Sequence, residues 1–168
     1  MPVEVAIQGK ASVHPKVQSL HQMIVTKAAS HFRALGLTDP ELSVVLTDNA
    51  QIEQLNAQWR HEDKPTDVLS FPLHEPAEPG QLEDDVFALG DIVISVEYAE
   101  KLVETQDHHQ RVAQELGVPA EELSWELADE VHFLLIHGLL HLVGYDHATE
   151  QEERQMKAQE KKLWQAAQ

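Results

Sequence analysis

The sequence predicts an α+β fold for residues 1–168, a single domain in which a four-stranded mixed sheet is packed by about five helices. Two observations lead to this prediction. Segments with strand-like and helix-like apolar spacing follow one another in the order β-α-β-α-β-β-α-α-α, and the fourth strand is apolar on both faces. A chain of 168 residues is also long enough to bury a substantial core in one domain.

Four short segments have the apolar pattern of strands. Residues 3–8 and 42–46 alternate apolar and polar residues, as half-buried strands do. The third strand covers Val68–Phe71 and is closed by Pro72. Gly90–Val96 is apolar on both faces, which predicts a central position in the sheet.

The helices are predicted from apolar residues at three- and four-residue steps and from capping residues. In the second helix, Ile52, Leu55 and Trp59 mark the predicted buried face. Residues 74–85, between the last two strands, are expected to form an acidic, proline-rich loop. The expected helices are residues 15–35, a short helix after the N-cap Asp48, residues 97–116, residues 120–143, and a last helix that starts at the capping box of Thr149 and Glu152.

The composition and the apolar segments indicate the cellular compartment of the protein. The chain has no cysteine, which excludes disulfides and thiolate metal ligands and fits a reducing compartment. Its N-terminus lacks the pattern of a signal peptide. The longest apolar run, around Phe133 to Val143, is interrupted by two histidines and is too short to span a bilayer. We therefore expect a cytoplasmic protein that does not contact a membrane.

The charge of the chain constrains its binding to nucleic acids. The formal net charge is −17, the opposite of what non-specific phosphate binding requires. We expect no binding to DNA. Binding to RNA would need a local positive site, for which Arg60, Lys64 and a bound metal ion are the candidates.

The run HGLLHLVGYDH, from His137 to His147, predicts a metal site. His137 and His141 are four residues apart in a predicted helix, so their side chains lie on one face, close enough to bind one ion. Gly144 allows the chain to leave the helix in a left-handed turn, which can bring His147 to the same ion. Three imidazoles and an open fourth position are typical of catalytic zinc, which acts as a Lewis acid.

The same run resembles the zinc motif of the metzincin proteases, with one departure. Those enzymes have a glutamate directly after the first histidine as the general base of peptide hydrolysis. This chain has Gly138 there, which cannot accept a proton. A hydrolysis other than peptide cleavage is therefore favoured.

Three separated blocks together resemble the YbeY family, bacterial zinc-dependent endoribonucleases that mature ribosomal RNA. The resemblance covers roughly residues 45 to 150. The blocks are Leu55-Asn56 and Trp59-Arg60 followed by PTDVLSFP (Pro65–Pro72), then LGDIVIS (Leu89–Ser95), then the histidine run.

The resemblance implies a zinc-dependent, single-strand-specific endoribonuclease that acts in small-subunit rRNA 3′ end processing and ribosome quality control. It implies one Zn²⁺ per chain held by His137, His141 and His147, with Arg60 and His137 as catalytic residues. Its expected partners are single-stranded ribosomal RNA, the small ribosomal subunit and assembly proteins. Two alternatives stay open: a zinc-braced, non-catalytic ribosome-assembly adaptor, which the acidic charge favours, and a metallopeptidase, which Gly138 disfavours.

Other polar residues have simpler expected roles. Asp146 is expected to cap the turn before His147 or to hydrogen-bond a ligand imidazole. Small polar residues at a strand start usually satisfy backbone groups, and these can also line a cleft. Glu130 lies about 10 Å along the helix from His137, too far to ligate the same ion, and is expected on the surface or in a buried pair. The residues at that strand start are Thr66, Asp67 and Ser70, and the histidines expected to have no metal role are His14, His21, His31, His61, His74, His108, His109 and His132, the first five on the surface.

Overall fold

The computed structural model describes residues 3–76, 78–82 and 87–168 of the chain. Four strands form one sheet in the order β1-β2-β4-β3. The three strands β1, β2 and β4 run parallel, and β3 is an antiparallel edge strand beside β4. The predictions of a mixed sheet and of a central fourth strand are both confirmed. The strands are β1 (Val3–Ile7), β2 (Glu41–Thr47), β3 (Val68–Pro72) and β4 (Ala88–Ser95).

Six α-helices occur in the described residues and cover both faces of the sheet. One face carries the main core, and α2 covers the other face with a small cluster of Ile52, Leu69 and Val93. The predicted N-cap Asp48 accepts a hydrogen bond from the Gln51 backbone N–H, which fixes the start of α2. The helices are α1 (Val17–Ala34), α2 (Asn49–Arg60), α3 (Val96–Val103), α4 (Gln106–Leu116), α5 (Leu127–Leu142) and α6 (Glu150–Ala166), with 3-10 turns at Gly9–Val13 and Ala120–Glu122.

Helix α5 runs through the main core and determines where the histidines lie. Leu135, Ile136, Leu139 and Leu140 are completely or almost completely buried. A Cβ added at Gly138 would lie 2.9 Å from a methyl carbon of Ile92 on β4, so the helix approaches the sheet at this glycine. This packing leaves His137 and His141 on the partly exposed side of the helix.

The prediction of one helix over residues 97–116 was wrong. The structure has two helices, α3 and α4, separated by Glu104 and Thr105. Thr105 has extended backbone angles, and its hydroxyl donates a hydrogen bond to the Leu102 carbonyl. A threonine side chain that bonds the preceding turn competes with the helical pattern, and no glycine or proline marks this break in the sequence.

The predicted start of the next helix, near residue 120, was also wrong. Residues 120–122 form only a 3-10 turn, and α5 begins at Leu127. Its N-cap is Glu126, whose backbone N–H donates to the Asp129 carboxylate 2.8 Å away in a reciprocal capping box. The capping signal was missed because Glu126 and Asp129 occupy the two positions at which a capping box usually has serine or threonine and glutamate.

Two histidines expected to have ordinary, unpaired roles form a buried pair. His31 on α1 and His132 on α5 are 1% and 3% exposed, and their Nε2 atoms lie 2.8 Å apart. His132 also stacks near Trp164 of α6, with ring centroids 4.7 Å apart. The surface expectation for His31 was wrong because α1 and α5 pack against each other at this point, which local sequence cannot indicate.

Trp59 was expected on the buried face of α2, and this expectation was also wrong. Its side chain is 60% exposed, because α2 reaches the edge of the sheet at its last turn. The predicted loop at 74–85 falls partly outside the described residues, at 77 and 83–85; its described part has neither helix nor strand. Within 3–76, 78–82 and 87–168, no helix is both long enough and apolar enough to cross a bilayer.

Candidate metal centre

The three predicted ligands lie together in the structure. His137 and His141 project from one side of α5, and His147 follows after the turn at its end. One ring nitrogen from each histidine lies within 4.8 Å of the other two, an arrangement that could hold one metal ion. The Nε2 atoms of His137 and His141 are 3.2 Å apart. Tetrahedral zinc with Zn–N bonds of about 2.0–2.1 Å places its nitrogen ligands roughly 3.3 Å apart, so this spacing fits.

The second nitrogen of each helical histidine fixes which tautomer the ring adopts. Nδ1 of His141 donates to the Tyr145 carbonyl at 3.0 Å, and a carbonyl can only accept. Nδ1 of His137 lies 3.0 Å from Glu160 Oε1, and an ionised carboxylate also only accepts. When both rings are neutral, each therefore directs an unprotonated Nε2 toward the same point. Two lone pairs facing each other repel, whereas a cation between them is bound by both.

The protonation state of His141 also suits a metal ligand. The pKa of His141 is lowered from 6.5 to about 4, first because burial disfavours its charged form and then because His137 and His147 lie nearby. The imidazole is thus neutral at neutral pH, which is the form that ligates metals.

The turn after α5 brings His147 back toward the helix. Gly144 has φ = +102°, a backbone conformation that L side chains rarely adopt. A Cβ there would also lie 2.6 Å from a ring carbon of Pro76 and 3.5 Å from Pro79 Cα, so these two prolines lie directly against this turn. The carboxylate of Asp146 accepts from the His147 backbone N–H at 2.8 Å. Asp146 therefore caps the turn, one of its two expected roles.

Arg60 lies on the same cleft as two of the histidines. The cleft has a volume of about 400 Å³, and its walls come from the end of α2, strand β3, the loop after β3 and the turn after α5. Arg60 is the last residue of α2, and Ser70 on β3 also lines the cleft. The buried Asn56 orients the chain after α2, since its side chain donates to the Lys64 carbonyl at 2.9 Å. The lining residues are Arg60, Ser70, Pro72, His74, Glu75, Pro76, His141, Gly144, Tyr145, Asp146 and His147.

Glu160 belongs to the site but was missed from the sequence. It lies on α6, is 5% exposed and contacts His137 through the Nδ1 hydrogen bond. It follows Met156 by four residues and so shares the buried face of α6. A carboxylate on an otherwise apolar helix face was the signal that could have found it.

Not every polar residue near the motif reaches this cleft. Asp67 lines a separate groove, which His137 also lines, and its carboxylate accepts from the Val68 backbone N–H. The Thr66 hydroxyl donates a hydrogen bond to the Asp67 carboxylate, and Thr66 does not line the cleft. Glu130 is 1% exposed and pairs with His108, which agrees with the buried pair considered for it.

Comparison with known proteins gives consistent matches. A family model described as Endoribonuclease YbeY matches residues 5–168. A protein named Endoribonuclease YbeY from Anaeromyxobacter sp. strain Fw109-5 is 39% identical over 91% of this chain and 68% of its own length. Proteins of that name from Persephonella marina and Heliobacterium modesticaldum are 43% and 44% identical, over 73% and 76% of this chain and 66% and 69% of their own lengths. The chain thus spans about two thirds of the length of these relatives.

One solved structure resembles the fold along nearly its whole length. The solution structure of TM1509 from Thermotoga maritima matches with a TM-score of 0.56 and 26% identity. The match covers 98% of this chain and 88% of that protein.

Proposed function

Because the chain belongs to the Endoribonuclease YbeY family, a family of hydrolases that act on RNA, we propose that it is a zinc-dependent endoribonuclease specific for single-stranded RNA. Its proposed task is ribosomal RNA maturation, including 3′ end processing of small-subunit rRNA, and ribosome quality control. The proposed partners are the small ribosomal subunit and its assembly proteins, in the cytoplasm.

The observation that carries this proposal is the convergence of three imidazole nitrogens on one point beside an arginine-lined cleft. His137, His141 and His147 would hold one zinc ion. When bound, zinc supplies Lewis-acid chemistry at a phosphate. Among the residues that the structure describes, the cluster consists of three histidines with no fourth protein ligand, a set that favours a catalytic ion over a purely structural one.

The chain's own residues supply binding and orientation. The Arg60 guanidinium can form two parallel hydrogen bonds to phosphate oxygens, which places the scissile phosphate in the cleft and stabilises the charge that develops there. Glu160 and the Tyr145 carbonyl hold the His137 and His141 rings in the ligating tautomer. We assign no protein general base.

The experiment combines metal analysis with RNA cleavage. Purified wild-type protein should contain about one equivalent of zinc and cleave a single-stranded rRNA fragment, and a chelator should stop the cleavage. His141→Ala should lose both properties, whereas His21→Ala, on α1 outside the cluster, should keep both. Cleavage that persists in zinc-free His141→Ala would refute the proposal.

The second candidate is a ribosome-assembly adaptor in which zinc only braces the end of α5. The net charge of −17 favours it, because an acidic surface repels RNA phosphates. Zinc removal separates the two candidates. An adaptor should lose its thermal stability together with its ribosome binding, whereas an enzyme should lose turnover and keep its fold.

The structure gives a physical reason against a peptidase. Position 138 faces Ile92 on β4 and not the histidine cluster, and even a Cβ would lie 2.9 Å from that side chain. A glutamate at this position could not act as the general base that metzincin proteases use.

A further inference from the structure

Trp59 exposes a large aromatic surface that the fold does not use. Its side chain is 60% exposed, whereas the other tryptophans, Trp125 and Trp164, are 7% and 8% exposed. Tryptophan is rarely left in water without a reason, because burying it is among the largest single gains in folding. The exposed indole of Trp59 is therefore available to a ligand.

The indole of Trp59 is held in place by the edge of the sheet. Its ring contacts Phe71 at a centroid distance of 6.2 Å and an interplanar angle of 67°. Phe71 lies on the edge strand β3 and packs against the small cluster under α2. An edge-to-face contact anchors the indole and leaves most of its surface open to a flat ligand.

This anchored indole adjoins the metal cleft. Arg60, the next residue along α2, lines the cleft. Ser70 and Pro72, on either side of Phe71, line it as well. Because alternate residues of a strand point to opposite faces, Phe71 with Trp59 lies on one side of the β3 edge and the cleft on the other. Arg60 is the cleft residue closest in sequence to the indole.

We propose that Trp59 is a stacking platform for one unpaired base of a single-stranded RNA that crosses the edge of β3, with a neighbouring phosphate at Arg60. This deepens the proposed function and depends on it. A flat, π-rich base suits the exposed surface of the indole. When a phosphate is bound at Arg60, the base of a neighbouring nucleotide can reach Trp59 on the other side of the edge strand β3.

The charge of the protein supplies an independent argument. With a net charge of −17, the chain cannot rely on phosphate attraction to hold RNA. Base–aromatic stacking is uncharged and contributes about 1–3 kcal/mol per base. It also requires an unpaired base, which would make the cleft selective for single strands.

The test uses an oligomer of about ten nucleotides with 2′-O-methyl riboses, whose integrity is checked on a gel after each titration. Trp59→Leu, which keeps apolar cover over Phe71, should bind it roughly 5- to 150-fold more weakly than wild type, the range equivalent to the loss of one stacked base. Trp59→Tyr should recover most of the affinity. Val13→Ala, which alters an 82% exposed apolar residue in the 3-10 turn at Gly9–Val13, should bind like wild type.

Intrinsic fluorescence and an abasic ligand separate stacking from a structural role. Trp59 is the only one of the three tryptophans that is largely exposed, so the oligomer should quench wild-type fluorescence and leave Trp59→Leu almost unchanged. A scan of oligomers with one base removed should find a position where wild type loses affinity and Trp59→Leu does not, a coupling that a general fold defect cannot give.

Several results would overturn the proposal. It would be overturned if wild type and Trp59→Leu bound the oligomer with equal affinity. It would also be overturned if each base removal lowered the affinity of both proteins by the same factor. Chelator-sensitive cleavage by Trp59→Leu with wild-type KM would leave the nuclease function standing and remove the stacking role. If Trp59→Leu loses only its association with ribosomal proteins, the indole is a protein contact. A wild-type protein that neither binds nor cleaves the oligomer or an rRNA fragment would refute both proposals.

Discussion

The buried His31–His132 pair should make the stability of the protein depend steeply on mildly acidic pH. Burial lowers the pKa of His31 from 6.5 to about 4 and that of His132 to about 3, with nearby Lys27 opposing protonation of both. Each ring also opposes charge on the other across their 2.8 Å contact. The folded chain therefore holds both rings neutral at pH values where the unfolded chain protonates them.

The sign and size of the effect follow from linkage. Because the folded pKa values lie below the unfolded value, the unfolded state binds more protons, and the free energy of unfolding rises with pH. The contribution is complete above about pH 7 and is lost as pH falls through 6.5 toward 4. Lowering the pH from about 8 to about 5 should cost about 2 kcal/mol for each histidine, or between 2 and 4 kcal/mol for the pair if they share a proton.

Urea unfolding at a series of pH values, with a chelator present throughout, measures this dependence. The control is the double variant His31→Leu/His132→Phe, which removes both titrating rings and leaves no buried polar atom of the pair without a partner. Its stability should vary with pH by about 2–4 kcal/mol less than that of wild type over the same range. All other groups are common to both proteins, so their contributions cancel in the comparison. Identical slopes would show that burial does not suppress protonation of the pair.

Three further predictions concern the site. Glu160→Gln should weaken zinc affinity about 10- to 100-fold, as expected for a ligand-orienting carboxylate, while Glu100→Gln, which removes the carboxylate that contacts His14 outside the cluster, should not; equal affinities of Glu160→Gln and wild type by competition titration would contradict the role of Glu160. Gly138→Glu should lower the free energy of unfolding by several kcal/mol without peptidase activity, because a charge would be forced against β4; a stable variant that releases casein peptides would contradict this. Arg60→Ala should keep its zinc content and melting temperature but slow RNA cleavage about a hundredfold or more, with poor recovery in Arg60→Lys; wild-type turnover would remove Arg60 from the site.

Parts of the site that depend on local geometry could be predicted from the sequence. The four-residue spacing of His137 and His141 on a helix places them on one face in any fold. Gly144 predicts the turn that returns His147, and the turn has the expected positive φ. The absence of a proton acceptor at Gly138 is likewise a property of one position. These relations involve neighbours within about three helical turns, where the backbone alone fixes distances.

Contacts between distant segments were decided only by the tertiary structure. Glu160 reaches His137 because α6 packs against α5. His31 is buried because α1 also packs against α5. The exposure of Trp59 is the opposite case, since its helical spacing predicts burial but α2 reaches the edge of the sheet there. A periodic pattern identifies which residues share a face of an element; it cannot say where along that face the neighbouring element ends. For that physical reason the sequence determined the histidine cluster, whereas the packing of distant segments decided which carboxylate supports it, which histidines are buried and which aromatic ring stays in solvent beside the cleft.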